Sequence, residues 1–295
     1  MKIIENRKIW FLISLVIIVA GLISLIFRGL NFDIEFAGGT IIQIDMHQKL
    51  NDPSELSDIV KEISGDSNPQ IQAVSGAMGD TQIQIKVKEI TPEQITQMYQ
   101  TIAEKYGLDL TEKKDLLEQS SISPIISSEM KRAALISTLI AGVLMLIYIT
   151  VRFRDICFGL GALIPLIHDC LIVLAMYTLL QIPVNNTFIV ALLTIVGYSI
   201  NNTIVVFDRI RENRPVYKPF ELDRLCDDSI FQTLGRSLGT SFTTVVMILL
   251  LFVLGVQSLR WFALPLLVGM IAGTYSSLFI ASPVWYLLEQ KIHKS

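Results

Sequence analysis

Charge is scarce in this chain. Asp, Glu, Lys and Arg make up 17% of its 295 residues, against roughly 25% in soluble domains, and they gather in clusters instead of spreading. That shortage excludes an ordinary soluble protein of this length. A net charge of -3 leaves no basic footprint for nucleic acid. The three cysteines, Cys157, Cys170 and Cys226, have no metal-ligand spacing and do not read as a disulfide framework. Phosphate-binding loops, dinucleotide fingerprints and nucleophile–base–acid triads are missing as well. The sequence therefore predicts no enzyme, no cofactor, no metal site and no ATP hydrolysis.

Apolar length is what the chain has in plenty, with 52% hydrophobic residues and a mean hydropathy of +0.54. A helix crossing a bilayer needs about 20 predominantly apolar residues. Six runs qualify: Ile9–Phe27, Ala133–Val151, Ile156–Leu180, Thr187–Phe207, Ser237–Leu254 and Trp261–Leu288. The first follows Lys2, Arg7 and Lys8, but it is long and no small-residue cleavage pattern follows it, so it reads as an uncleaved helix. Basic residues collect before the first run, between the second and third (Arg152, Arg154), between the fourth and fifth (Arg209, Arg211, Arg214, Lys218, Arg224) and after the sixth (Lys291, Lys294). The opposite short loops carry only Arg260. Both termini are thus expected in the cytoplasm. The expected organisation is residues 1–28 as N-terminus and first helix, 29–131 as an extracytoplasmic domain, 132–288 as five further helices and 289–295 as a cytoplasmic tail.

The insert alternates like half-buried strands at Ile42-Gln43-Ile44-Asp45-Met46 and Gln82-Ile83-Gln84-Ile85-Lys86-Val87. A helix is predicted near Pro53–Ile63, with Asn51 or Asp52 as its cap. A second starts at Thr91-Pro92-Glu93, runs to Tyr106 and stops at Gly107. The order β-α-β-β-α suggests a small α+β sandwich of ferredoxin-like type. Such a domain serves equally as a spacer or as a binding surface.

Polar side chains inside membrane-length helices are costly unless they face a bundle interior or water. On the third helix Gly161, Pro165, His168 and Asp169 share one side, with Asp169 near the middle of its apolar run. Asp169 is a candidate proton carrier, or else a structural acid paired with His168. On the fourth, Ser199, Asn202 and Thr203 share a face, and Asn201 and Asn202 suit interhelical hydrogen bonding. Asp208, Arg209, Arg211 and Glu212 mark its charged end. On the fifth, Arg236 stands alone above Thr240, Thr243 and Thr244. It could snorkel to the surface or face the interior near Asn202, and the second is the expectation carried forward. Gly269, Gly273 and Ser277 form a small-residue stripe on the sixth helix that permits close packing.

Gly197 to Asn213, reading Gly-Tyr-Ser-Ile-Asn-Asn-Thr-Ile-Val-Val-Phe-Asp-Arg-Ile-Arg-Glu-Asn, resembles the fourth-helix signature of the SecF family, accessory subunits of the bacterial protein-export translocon. Phe32 to Thr40, with Glu35, Phe36, Gly38 and Gly39, resembles the SecD/SecF motif after helix one. His168-Asp169, Gln232 to Ser237 with Thr240 to Thr244, and Gly273 to Ser277 are similar to further family motifs. This chain has Asp33 and Glu35 where the family tends to have Gly and Asp, Phe231 where Asn is usual, and Asn202 where Asp is usual. The resemblance implies a half-unit of the RND transporter superfamily, a SecD partner, docking on the SecYEG channel, preproteins as substrate and proton-gradient-assisted movement across the bacterial inner membrane. The family Asp at position 202 carries the proton path, which an amide cannot do. Coupling by the partner's acid, with Asn202 and Arg236 as fixed hydrogen-bonding partners, is the reading preferred here. Asp169 as the relay, or an engineered Asp-to-Asn change, are the alternatives. A small-molecule or lipid exporter half-unit, and a purely structural stabiliser of the channel, also remain open.

Overall fold

The computed structural model describes residues 2–48, 53–67, 69–76, 79–110, 114–218, 220–255 and 257–292. The chain divides into two compact units, residues 1–31 with 134–295, and residues 32–133.

The first unit is helical. Among the described residues six helices are long and apolar enough to cross a membrane. They are α1 (Arg7–Arg28), α5 (Pro124–Phe153), α6 (Ile156–Leu180), α7 (Asn186–Asn213), α8 (Leu222–Leu254) and a last span built from α9 (Gln257–Ser276), a π-helical turn (Ser277–Ala281) and α10 (Ser282–Ile292). Local chemistry sets their ends. Asp155 caps α6, accepting from the Cys157 N–H at 2.8 Å, and Asn185 caps α7 by accepting from the Phe188 N–H at 3.3 Å. Gln181 closes α6 in the left-handed region at φ +53°.

α6, α7 and the last span form the interior, while α1, α5 and α8 lie outside and expose Leu, Ile and Val. α1 approaches α6 closely because Gly21 has no Cβ, which would otherwise fall on Ala175. Ser24 Oγ then donates to the Thr178 carbonyl at 2.8 Å, and Thr178 returns a bond to the Gly21 carbonyl at 3.1 Å. Near the charged helix ends, Phe153, Phe158, Phe207 and Trp285 pack as an aromatic cluster. There the Asp227 carboxylate of α8 accepts from the backbone N–H groups of Ile3 and Ile4, each at 3.0 Å.

The second unit is a four-stranded antiparallel sheet in the order β2-β3-β1-β4, formed by β1 (Gly39–Asp45), β2 (Gln70–Gly76), β3 (Gly79–Val87) and β4 (Leu116–Ile122). A short α2 (Ile34–Ala37) leads into it, α3 (Ser57–Ser64) joins β1 to β2, and α4 (Pro92–Tyr106) joins β3 to β4. Ile42 pairs with Ile85 and Ile44 with Ile83. Their alternation turns one face onto Val60, Ile95, Met98, Tyr99 and Ile102 of the helices, all buried. Thr91 and Gln94 close a reciprocal capping box at the start of α4. The expected cap of α3 at Asn51 or Asp52 lies outside the described residues.

Candidate functional site

Asp169 is the focus of the helical unit, with 1% of its surface exposed. Its Oδ2 accepts from Ser199 Oγ of α7 at 2.5 Å and from Ser276 Oγ of α9 at 2.8 Å. Its Oδ1 lies 2.8 Å from His168 Nδ1, and the far ring nitrogen, Nε2, lies 3.0 Å from Ser14 Oγ of α1. Four spans therefore meet at one carboxylate–imidazole pair. Gly273 lets α9 come close, since a Cβ there would stand 3.0 Å from Ser199 Cβ. Ser276 ends α9 where the π-helical turn begins, a distortion that recurs at working sites in helices. Ser277 continues the contact by donating to the Gly273 carbonyl at 2.7 Å and pairing with Thr203 Oγ1 at 2.9 Å. A buried carboxylate with three donors can hold charge in hydrocarbon, and the imidazole beside it gives a second place for a proton.

Asn202 is buried too, in a neighbouring layer. Its Nδ2 donates to Ser241 Oγ at 3.4 Å, and Ser241 also accepts from Thr274 Oγ1 at 2.7 Å. Asn201 is exposed.

Arg236 corrects the expectation of an interior position beside Asn202, because it is exposed on this chain. The buried seam of α8 runs through Ser229, Thr233, Ser237 and Ser241. Steps of four residues wind that seam round the helix by about 40° each, which leaves position 236 behind its trailing edge. Thr240, Thr243 and Thr244 donate to carbonyls of their own helix instead.

The charged end of α7 forms local ion pairs. Asp208 meets Arg211 at 3.1 Å and Arg152 at 3.3 Å, and Arg209 meets Glu212 at 2.9 Å. These pairs are partly exposed and each is worth little alone. Asp155, Cys157 and Glu289 bring ligand atoms within 4.8 Å of one another, but Arg214 bridges Asp155 and Glu289 and already supplies the positive charge.

After helix one, Asp33 caps α2 and forms an ion pair with Lys86 at 2.7 Å, both side chains being largely buried. Glu35 lies in the first turn of α2, and Phe36 is buried. Gly38 (φ +81°) and Gly39 (φ +150°) turn the chain into β1, and a Cβ on Gly39 would collide with the Val87 carbonyl.

Sequence reasoning singled out Asp169, His168, Ser199, Asn202 and Thr203, and the structure brings all of them to the interior. It missed Ser14, Lys86 and the hydrogen bond from Ser276. Lys86 carried a signal, a cation in an otherwise alternating strand. Ser14, a small hydroxyl in an apolar run, carried almost none.

Six membrane-length helices around a polar, charged interior, with one sheet domain inserted after the first, define a multi-pass membrane protein. Residues 102–291 match the family model for the protein export membrane protein SecD/SecF, C-terminal. A protein translocase subunit SecF from Alicyclobacillus acidocaldarius is 35% identical, across 96% of this chain and 91% of that one. The protein translocase subunit SecDF of Bacillus subtilis is 33% identical over 95% of this chain, which spans 37% of that longer protein. The crystal structure of SecDF, a translocon-associated membrane protein from Thermus thermophilus, superposes with a TM-score of 0.84 at 31% identity, over 99% of this chain and 39% of that one. The chain belongs to the SecD/SecF family of protein export membrane proteins.

Proposed function

We propose that the protein is an accessory, non-enzymatic subunit of the Sec export machinery. It acts with SecD on the SecYEG channel and assists the movement of preproteins across the bacterial inner membrane at the expense of the proton gradient. The observation that carries this reading is the buried His168–Asp169 pair where four spans converge, in a chain whose near full-length relatives are named translocase subunits. A titratable pair held in hydrocarbon is costly and serves transport more readily than scaffolding.

The finer assignments are part of the same proposal. Both termini face the cytoplasm, following the loop charges. Residues 29–131 form an extracytoplasmic, ferredoxin-like domain, a reading supported by the β-α-β-β-α-β order and the antiparallel strand order β2-β3-β1-β4. That domain contacts translocating chains transiently. SecD, joined to SecF in single-chain relatives named SecDF, covers the exposed Arg236 face of α8. Asn202 serves as a fixed dipole. The Asp208–Arg211 and Arg209–Glu212 pairs hold the cytoplasmic end of α7.

Purification in mild detergent tests the assembly, with SecD and the channel expected to accompany the tagged chain. Crosslinkers on exposed positions of residues 32–133 are expected to trap a stalled secretory protein. Capture of SecD and channel subunits alone during active export overturns the substrate-contact role. Cysteine at position 67 is expected to react from outside and cysteine at position 295 not to; the reverse pattern overturns the orientation.

A further inference from the structure

We infer that the His168–Asp169 pair, completed by Ser14, is a proton-binding site of this chain, loaded at His168 Nε2 and read by the last span through Ser276. The inference deepens the gradient-coupling reading and rests on it for its purpose, while its chemistry rests on the geometry alone.

One proton must lie in the 2.8 Å contact between His168 Nδ1 and Asp169 Oδ1. With Nδ1–H donating to an ionised Asp169, Nε2 is a bare acceptor and takes the Ser14 hydroxyl proton across 3.0 Å. The pair then carries one negative charge. Ser199 and Ser276 solvate that charge through Oδ2. Uptake of one proton forms an N–H bond at Nε2 and converts the ring to imidazolium. The pair becomes neutral overall, and no other bond is made or broken.

The new Nε2–H must donate, so Ser14 turns from donor to acceptor. Its own proton then needs another acceptor, and for a serine in a helix this is the carbonyl four residues back, that of Trp10. The Trp10 carbonyl already accepts from Tyr275 Oη at 2.7 Å. Proton uptake on α6 therefore sets α1 in competition with Tyr275 of α9.

A second competition falls on the neighbouring residue. Ser276 Oγ has one hydrogen and two acceptors in range, Asp169 Oδ2 at 2.8 Å and the Gly273 carbonyl at 3.2 Å. An imidazolium draws electron density toward Oδ1 and weakens the hold of Oδ2 on Ser276. The hydroxyl then returns to its own helix, at the junction with the π-helical turn of residues 277–281. That turn is the element able to change register.

The surroundings keep the switch isolated. α1 presents Ser14 and Trp10, α7 presents Ser199, α9 presents Tyr275 and Ser276, and Cys170 follows on α6. Among the described residues His168 is the charge partner of Asp169, and Lys, Arg and other acids do not take part.

The chain has three histidines, His47, His168 and His293, so a His47→Gln, His293→Gln background isolates the site. The full chain in lipid nanodiscs, labelled with 15N-histidine, is titrated from about pH 9 to about pH 4, across the range where imidazoles change charge. Nδ1 is expected to stay protonated throughout, while Nε2 passes from unprotonated to protonated in one step. Ser14→Ala is expected to move that midpoint and keep the fold. Ser276→Ala is expected to keep the titration and abolish the pH-dependent change in hydrogen exchange over residues 277–281. A ring that keeps one protonation state throughout overturns the site, as does a neutral tautomer with its proton on Nε2. An exchange change that persists in Ser276→Ala overturns the readout. The gradient reading fails separately: if His168 titrates as stated while export by Asp169→Asn still responds to the gradient, the coupling falls and the site stands.

Discussion

The core of the sheet unit is apolar throughout, whereas the helical unit carries a polar layer through an apolar core. In the sheet unit the core is Ile42, Ile44, Ile83, Ile85, Met98 and Ile102, and the Asp33–Lys86 ion pair is among the unit's buried charges. In the helical unit Leu, Ile and Val line the outside of α1, α5 and α8, while Asp169, His168, Ser199, Asn202, Thr203, Ser276 and Ser277 sit within. Water is the reason for the first pattern, since burying apolar surface is worth about 25 cal/mol per Å² there. Hydrocarbon offers no such gain, so the helices are held by close approach and by hydrogen bonds. The Asp33–Lys86 charge of the sheet unit is a single ion pair, and the buried charge of the bundle gathers hydroxyls from three other spans around it.

The sharpest way to break that contrast is to orphan the buried charge of the sheet unit. Lys86→Met leaves Asp33 unpaired beneath the sheet, and the expected loss is about 3–5 kcal/mol. Thermal unfolding followed by hydrogen exchange across residues 40–45 measures it. Asp33→Asn combined with Lys86→Met is expected to recover most of the loss. If the double variant is as unstable as the single one, the pair is not the source of the effect.

A smaller effect is expected from the packing side of the contrast. A Cβ at Gly269 would meet the Ile195 side chain at 2.3 Å, so Gly269→Leu overpacks the α7–α9 contact. The expected cost is about 1–3 kcal/mol, moderated because Ile195 can turn aside. Resistance to denaturation in detergent would show it, with Gly235→Leu on the exposed side of α8 as the near-neutral control. Equal losses in both would mean that α9 is not held by close approach.

Smaller again is the loss expected from a hydrogen bond between helices. Ser241→Ala removes the acceptor shared by Asn202 and Thr274. Such bonds average about 0.6 kcal/mol in a membrane protein, with a maximum near 1.7. A measured loss above about 3 kcal/mol would mean that the Asn202 layer, not the Asp169 pair, is the critical polar contact of the bundle.

The same contrast explains what could be read in the sequence. Apolar runs locate all six spans, because length and hydropathy are properties of the chain alone. They do not locate every helix end. α8 begins at Leu222, not Ser237: Asp223, Arg224, Asp227 and Asp228 depress hydropathy, yet an acid such as Asp223 in the first turn suits a helix start. α5 begins at Pro124, not Ala133. Strand β4, Leu-Leu-Glu-Gln-Ser-Ser-Ile, was not expected: among the described residues it pairs only with β1, and it lies largely exposed, so nothing forces its residues to alternate. The candidate site was half legible. An acid in an apolar run announces itself, as Asp169 did. Its partners Ser199 and Ser276 are 30 and 107 positions away, Ser14 is 154 positions from His168, and hydroxyls inside helices also satisfy themselves on their own backbone. Arg236 was misjudged for a related reason: its face depends on how the seam of α8 winds, which packing decides.

The smallest effect belongs to the surface of the sheet unit, where His47 links β1 to β4. Its Nε2 lies 2.7 Å from Asp115 Oδ1, and the Asp115 carbonyl accepts from the Asp45 N–H at 2.8 Å. The hydrogen bond to Asp115, with the charge of that carboxylate and a lesser contribution from Asp45, raises the His47 pKa above its ordinary value. A raised folded-state value means that the protonated ring stabilises the fold. The contribution is complete below the unfolded-state pKa of about 6.5 and disappears as pH rises through the folded value. Stability should therefore decline slightly as pH rises from about 6.5 through the folded-state value, and His47→Gln should flatten the decline while leaving the sheet intact. His47 is exposed to water, so the slope will be shallow and weaker in salt. Ring-proton shifts of His47 followed against pH give the direct measurement. A midpoint at or below the unfolded value would mean that the link to Asp115 does not form in solution, and that β4 is held to β1 without it, by the backbone ladder and the Thr40–Ser121 side-chain contact.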